Sequence, residues 1–211
     1  MKSGLTYIDS MIFDLDGTLW DSTQEIAFSW STIINKYNIS KNEVTTDELK
    51  GYMGLELGVI GEKMFPNMDK NKRDILLKEC VEFENKYLME HGATLYDNLE
   101  DTLKALSKKY KLFIVSNCQD GYIETFLKFY NLDKYFLDFE CPGRTNLSKA
   151  ENIKIVIERN NLKSPVYIGD TQMDCDAAKK AGITFIYARY GFGNTEEYDY
   201  VIDNFDELLS L

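Results

Sequence analysis

Short apolar runs that stop abruptly at a polar residue constrain this chain more than any other feature. Ser10-Met11-Ile12-Phe13 stops at Asp14-Leu15-Asp16-Gly17-Thr18, Leu112-Phe113-Ile114-Val115 at Ser116-Asn117, and Val166-Tyr167-Ile168 at Gly169-Asp170. A short apolar run closed by Asp, Ser or Gly reads as a buried strand entering a loop. Thr184-Phe185-Ile186-Tyr187 is a further strand of this kind, and Phe136 to Phe139 is a weaker one. Between them the spacing turns helical. Leu99, Leu103 and Leu106 mark one helix, Ile123, Phe126, Leu127 and Tyr130 a second, and Ile153, Ile155, Val156 and Ile157 a third that ends at Asn160-Asn161. Ala177, Ala178 and Ala181 mark a tightly packed helix stopped by Gly182. Strands alternating with helices predict an α/β core around a parallel sheet. Tyr198 to Leu211 reads as a last strand and helix on that sheet.

The alternation is interrupted once. From about Ser22 to Leu88 nothing resembles a strand: Ile26, Trp30, Ile33, Ile34 and Tyr37 fall at helical spacing until Asn38 and Ser40. Ile75, Leu76, Glu79, Cys80, Phe83 and Tyr87 repeat that spacing after a break from Pro66 to Asn71. The expected organisation is a core of residues 1–20 and 92–211 with a helical unit, 21–91, inserted after the first strand.

Charge and composition exclude several classes. Lys+Arg 24 against Asp+Glu 35 gives a net charge of −11, a surface that repels nucleic acid and anionic lipid. No apolar run approaches the roughly 20 residues of a membrane-spanning helix, and the N-terminus MKSGLTYIDSMIF has no small-residue cleavage site. Cys80, Cys118, Cys141 and Cys175 form no C-x-x-C pair and suit reduced thiols in a cytoplasm. Composition does not specify an oligomeric state.

In an open parallel sheet, ligands bind beyond the carboxyl ends of the strands. Reading those ends collects Asp14 and Asp16, then Ser116, then Asp170 with Asp174 one helical turn on. Lys149 stands before the helix that leads to the Asp170 strand. Singly, each has an ordinary role: turn former, helix cap, first-turn acid or surface charge. Together, several carboxylates in one crevice would repel unless a cation sat among them, and oxygen-only ligands suit Mg²⁺.

Phe13-Asp14-Leu15-Asp16-Gly17-Thr18-Leu19 resembles the first motif of the haloacid dehalogenase-like hydrolase superfamily. Val115-Ser116-Asn117 is similar to its second, and Lys149 within Leu147–Asn152 to its third. Gly169-Asp170-Thr171-Gln172-Met173-Asp174 with Ala177-Ala178 and Ala181-Gly182 is similar to the fourth, as found in phosphoglycolate phosphatase-like members. The resemblance implies a Rossmann-like α/β core with an inserted α-helical cap, hydrolysing a small-molecule phosphomonoester through an aspartyl phosphate. It implies Asp14 as nucleophile, Asp16 as acid and base, and Mg²⁺ held by Asp14, Asp170 and the Asp16 carbonyl. It further implies phosphate binding by Ser116, Asn117 and Lys149. Asp174 would orient Lys149 or a metal-bound water, and Thr18 would hydrogen-bond the catalytic loop or Asp16. Lys154, Lys163 and Arg144 are the alternatives to Lys149.

In this subfamily the helical cap selects substrate through Gly-containing turns. Gly51-Tyr52-Met53-Gly54-Leu55 is the candidate, with Tyr52, Gly54 and Leu55 as contacts. Trp20 and Asp21 stand where the chain crosses into the insertion. Competing activities lack their residues. A dehalogenase usually lacks the second Asp, and a phosphonate hydrolase needs a cap Lys that Trp20–Ile26 does not supply. A β-phosphoglucomutase-like mutase uses a His near the first motif, whereas the chain's one His is His91. A non-catalytic binding protein on the same fold would have lost Asp14 or Asp16, and both are present.

Overall fold

The computed structural model describes residues 7–37, 39, 41 and 43–211. Asn38 and Ser40, read above as helix breakers, and the first six residues lie outside the described residues.

Side chains alternate across a strand, and β1 (Ser10–Phe13) divides its own between two cores. Met11 and Phe13 enter one, while Ile12 enters the other with Phe113, Tyr167 and Phe185 from neighbouring strands. After β1 the chain makes a two-residue strand, β2 (Trp20–Asp21), and then the helices α1 (Thr23–Lys36), α2 (Thr46–Lys50), α3 (Leu57–Met64) and α4 (Lys70–His91). It returns through β3 (Thr94–Leu95), which pairs antiparallel with β2. The remaining order is α5 (Leu99–Leu106), β4 (Lys111–Val115), α6 (Tyr122–Tyr130), β5 (Phe136–Glu140), α7 (Pro142–Thr145), α8 (Lys149–Arg159), β6 (Pro165–Gly169), α9 (Gln172–Ala181), β7 (Thr184–Ala188) and β8 (Tyr200–Ile202). A 3-10 helix over Phe205–Ser210 follows.

Six strands form one parallel sheet in the order β5-β4-β1-β6-β7-β8. The first strand lies inside the sheet, with β4 in register on one side and β6 on the other. The chain winds outward from β1 in one direction and then the other, so the crevice beyond the ends of β4, β1 and β6 is the topological switch point.

The helices between β2 and β3 bury apolar stripes against each other. Ile26, Ala27, Trp30, Ile33 and Ile34 of α1 are buried, as are Leu76, Leu77, Cys80 and Leu88 of α4. The expected stripe on α4 is rotated by about one residue. Ile75 is 57% exposed, and the inward row is Arg73, Leu76/Leu77, Cys80, Glu84 and Leu88. Phe83 and Tyr87, assigned inward by spacing, lie on the flank, where Tyr87 meets the Phe28 ring at 4.9 Å and Lys36 sits over Phe83. Two polar residues, Arg73 and Glu84, hold inward positions on α4, which defeats a reading by apolar periodicity. No helix among the described residues is long and apolar enough to cross a membrane. All four cysteines are buried and free.

Candidate active site

Asp14, Ser116 and Asp170 directly follow β1, β4 and β6, three adjacent strands whose backbones run about 4.8 Å apart. The Asp14 N–H extends the ladder to the Ile168 carbonyl at 2.8 Å, which fixes where its side chain leaves the sheet. Carboxylate oxygens of Asp14, Asp170 and Asp174 all lie within 4.8 Å of one another, and all three residues are buried.

Two helix starts bring Lys149 and Asp174 together. Ser148 caps α8 in a reciprocal box with Glu151, so Lys149 is the first helical residue. Thr171 caps α9 in the same way with Asp174, whose Oδ2 accepts from the Thr171 N–H at 2.9 Å and hydroxyl at 2.6 Å. The other Asp174 oxygen accepts from Lys149 Nζ at 2.6 Å, and that ammonium lies 3.0 Å from Asp14 Oδ1. Of the basic residues considered, Lys149 is the one buried here. Lys154 and Lys163 are exposed, and Arg144 turns to Glu140 and the Phe139 ring.

Burial pushes the Asp14 carboxyl up to about 7, with Asp174 adding to the effect and Lys149 opposing it. Burial, then Asp174 and Asp14, hold Asp170 well above the usual carboxylate range. Burial alone would lower Lys149, but Asp14 and Asp174 outweigh it and raise it. Asp170 Oδ1 is buried without a hydrogen-bond donor, and Asp14 Oδ1 is buried against the Lys149 ammonium. Three buried carboxylates around one lysine, with an Asp170 oxygen that no donor meets, fit a hard divalent cation such as Mg²⁺. Asp174, near enough by distance, has both oxygens engaged and is less available as a ligand.

Asp170 is held by a loop that the sequence reading did not select. Its Oδ2 accepts from the N–H groups of Phe192 at 2.8 Å and Gly193 at 3.3 Å. A Cβ on Gly191 would fall 2.3 Å from the Asp170 Cβ, and one on Gly17 would fall 2.2 Å from Asp170 Oδ2. Gly17 also has φ 81°, a conformation that glycine tolerates readily. Glycines Gly191 and Gly193 after the last long strand were the available signal.

The Asp16 side chain faces away from this group. Its Oδ1 accepts from Ser22 Oγ, and the Tyr122 hydroxyl lies 2.9 Å from both atoms. Asp16 Oδ1 is thus occupied, while Asp16 still lines the cleft. Thr18 does not make its expected contact: its hydroxyl is buried without a partner, because Ser22 and Tyr122 occupy the Asp16 oxygen. The Thr18 carbonyl instead accepts from the Tyr190 hydroxyl at 2.8 Å. Asn117 lines the cleft beside Ser116, and its side chain reaches the insertion. Its amide Nδ2 donates to the Gly54 carbonyl at 2.7 Å, tying the second strand end to the insertion. Nothing in the sequence marked Ser22 or Tyr122, since their partner lies six and 106 residues away.

A cleft of about 570 Å³, counting its mouth, lies between the strand ends and the helices. Asp14, Asp16, Ser116 and Asn117 line its floor, while Tyr52, Met53, Gly54 and Leu55 line the opposite wall. Trp20, fully buried against Tyr122, Phe126 and Tyr130, anchors the crossing strand, and Asp21 accepts from the Thr23 N–H at the start of α1.

Comparison with known proteins agrees with this geometry. The chain is 28% identical over 212 residues to a phosphoglycolate phosphatase of Aquifex aeolicus, covering 95% of each. It is 26% identical to a phosphoglycolate phosphatase of Vibrio parahaemolyticus, covering 97% of this chain and 96% of that one. Its fold matches a haloacid dehalogenase-like family hydrolase from Streptococcus pneumoniae with a TM-score of 0.79 at 23% identity, covering 96% and 97% of the two chains. The sequence profile of the haloacid dehalogenase-like hydrolases matches residues 11–188, spanning Asp14, Ser116, Lys149 and Asp170, and the chain belongs to that family.

Proposed function

We propose that the protein is a Mg²⁺-dependent phosphatase that hydrolyses a small phosphomonoester through a phosphoaspartyl intermediate on Asp14, in the manner of its phosphoglycolate phosphatase relatives. The observation that carries this reading is the Lys149 ammonium 3.0 Å from Asp14 Oδ1, with Asp14 on the cleft floor and a donorless Asp170 oxygen in the same carboxylate group. On this reading residues 21–91 form the cap, and 1–20 with 92–211 the core.

Asp14 attacks phosphorus while the bond to the leaving alkoxide breaks, and Asp16 gives that oxygen a proton. Asp16 then takes a proton from water, the water oxygen attacks the phosphoryl group, and phosphate leaves with Asp14 restored. Lys149 and the Ser116 hydroxyl bind the phosphoryl oxygens, whose charge would otherwise repel an anionic nucleophile. Asp174 sets the position of Lys149, and Asn117 keeps the cap turn over the reacting groups, excluding water. Bound by Asp14, Asp170 and the Asp16 carbonyl, Mg²⁺ would supply positive charge to the phosphoryl oxygens and hold Asp14 ionised at neutral pH. Ser22 and Tyr122 hold one Asp16 oxygen, and Asp16 lines the cleft where the leaving group would sit.

His91 stacks on Tyr87 at 4.0 Å and does not line the cleft, so nothing supports a mutase. Four buried unpaired thiols favour a reducing compartment, the cytoplasm. The test is phosphate release from a panel of phosphomonoesters with Mg²⁺ and with EDTA. Mg²⁺-dependent release that vanishes in Asp14→Asn supports the reading, and metal-independent release or an active Asp14→Asn overturns it.

A further inference from the structure

The phosphoryl-binding groups occupy one end of the cleft; the other end must receive the leaving group. That end is built by the insertion, and its wall is apolar: Ile26, Trp30, Leu49, Met53, Leu57 and Ile60. No Lys, Arg or His lines it among the described residues, and Lys50 on α2 lies over the Phe192 ring, outside the lining. Among the described residues, one carboxyl of the cap does line it. Glu84, 4% exposed, projects from the inward row of α4, and its Oε2 accepts from the Trp30 indole N–H at 2.5 Å. No cation pairs with it among the described residues.

A carboxyl in such a wall is a poor choice for packing alone, because burying it unpaired is unfavourable and an aliphatic side chain would fill the space. Burial pushes it up to about 8, with the Asp16 charge contributing. In either protonation state it keeps an acceptor oxygen, and no neighbouring cation stands ready for a second anion. A leaving group ending in carboxylate or phosphate would enter a wall with no positive partner and two acids, Glu84 and Asp16.

We propose that Glu84, oriented by Trp30, reads the leaving group: the substrate is a phosphomonoester whose alcohol portion is short, partly apolar, free of negative charge, and ends in a hydrogen-bond donor, hydroxyl or ammonium, that meets this carboxyl. This inference rests on the phosphatase reading above and narrows its substrate class. It sets the chain apart in selectivity from an enzyme that prefers phosphoglycolate, whose leaving group carries a carboxylate.

The experiment compares kcat/KM, with Mg²⁺, for ethanolamine phosphate, glycerol 1-phosphate, ethyl phosphate and phosphoglycolate, with p-nitrophenyl phosphate as the probe of reaction class. The expected result is that at least one donor-bearing ester exceeds both ethyl phosphate and phosphoglycolate by about tenfold or more. The ammonium and hydroxyl arms tell which donor is read. At pH 9, where the wild-type Glu84 carboxyl is ionised, Glu84→Gln keeps the shape and the acceptor but not the charge, and the ratio of phosphoglycolate to ethanolamine phosphate turnover should rise by about tenfold. A wild-type enzyme that turns over the aryl phosphate and prefers phosphoglycolate overturns this inference and leaves the phosphatase reading standing. Unchanged ratios in Glu84→Gln, or in Glu84→Leu should the first variant fold poorly, reduce Glu84 to a support for Trp30 and also overturn it. No release from any ester removes both readings.

Discussion

Lys149 Nζ sits 2.6 Å from Asp174 and 3.0 Å from Asp14, so a single buried ammonium is shared between an acid that caps a helix and an acid at the end of the first strand. Asp174 therefore joins helix geometry to site chemistry. Its Oδ2 fixes the start of α9, and its Oδ1 fixes the lysine. Replacing it with Asn keeps an acceptor for Thr171 but removes the charge that balances Lys149. Asp174→Asn is expected to lower kcat by about 10- to 100-fold while circular dichroism stays that of the wild type.

Asp14 makes the metal-free protein sensitive to pH. Its carboxyl is raised from 3.8 to about 7, so between those values the folded state holds a proton that the unfolded state has released. Stability without metal should then fall as pH rises from about 4 to 7. Melting temperatures in EDTA across that range check this, and Asp14→Asn should flatten the slope. Added Mg²⁺ should raise the melting temperature more at pH 7.5 than at pH 5, because the deprotonated cluster is the form that binds it.

Gly191 packs against Asp170 with no room for a methyl group, its Cβ position lying 2.4 Å from the Gly17 carbonyl. Gly191→Ala is expected to lower stability by about 1–3 kcal/mol and to weaken Mg²⁺ binding. Urea unfolding in EDTA and calorimetric titration with Mg²⁺ separate the two effects.

Asn117 links the second strand end to the cap turn through the Gly54 carbonyl. Asn117→Ala should loosen the cap by roughly the net value of one hydrogen bond, about 0.5–1.5 kcal/mol. The expected readout is a KM raised by several-fold with a smaller change in kcat, together with faster proteolysis within residues 43–60.

The strand-end residues were legible because each is set by local sequence. An apolar run and the polar residue that stops it appear side by side, and parallel pairing then brings Asp14, Ser116 and Asp170 to one edge. Lys149 was legible through its resemblance to the third motif and its place just before a helix, with Lys154, Lys163 and Arg144 as rivals. What escaped is held by long-range contact. Tyr122 meets Asp16 across 106 residues, Glu84 meets Trp30 across 54, and Asn117 meets Gly54 across 63. The α4 stripe misled because its inward row includes Arg73 and Glu84, polar residues that apolar spacing counts as outward. Thr18 looked like a partner for Asp16 by proximity in sequence, but the turn takes its hydroxyl elsewhere and Ser22 serves instead.

The placement of β1 has a consequence for the order in which the protein is made. Its neighbours in the sheet are Lys111–Ile114 and Pro165–Ile168, so the strand that carries Asp14 emerges first from a ribosome and waits longest for support. The insertion that follows it contributes no strand to the six-stranded sheet and can gather on its own hydrophobic stripe during that wait. Only when residue 168 of 211 is free of the ribosome can both edges of β1 be paired. Nascent chains cut short of that point should therefore hold a folded helical lobe beside an unpaired first strand, and the site would come into being all at once, late in synthesis.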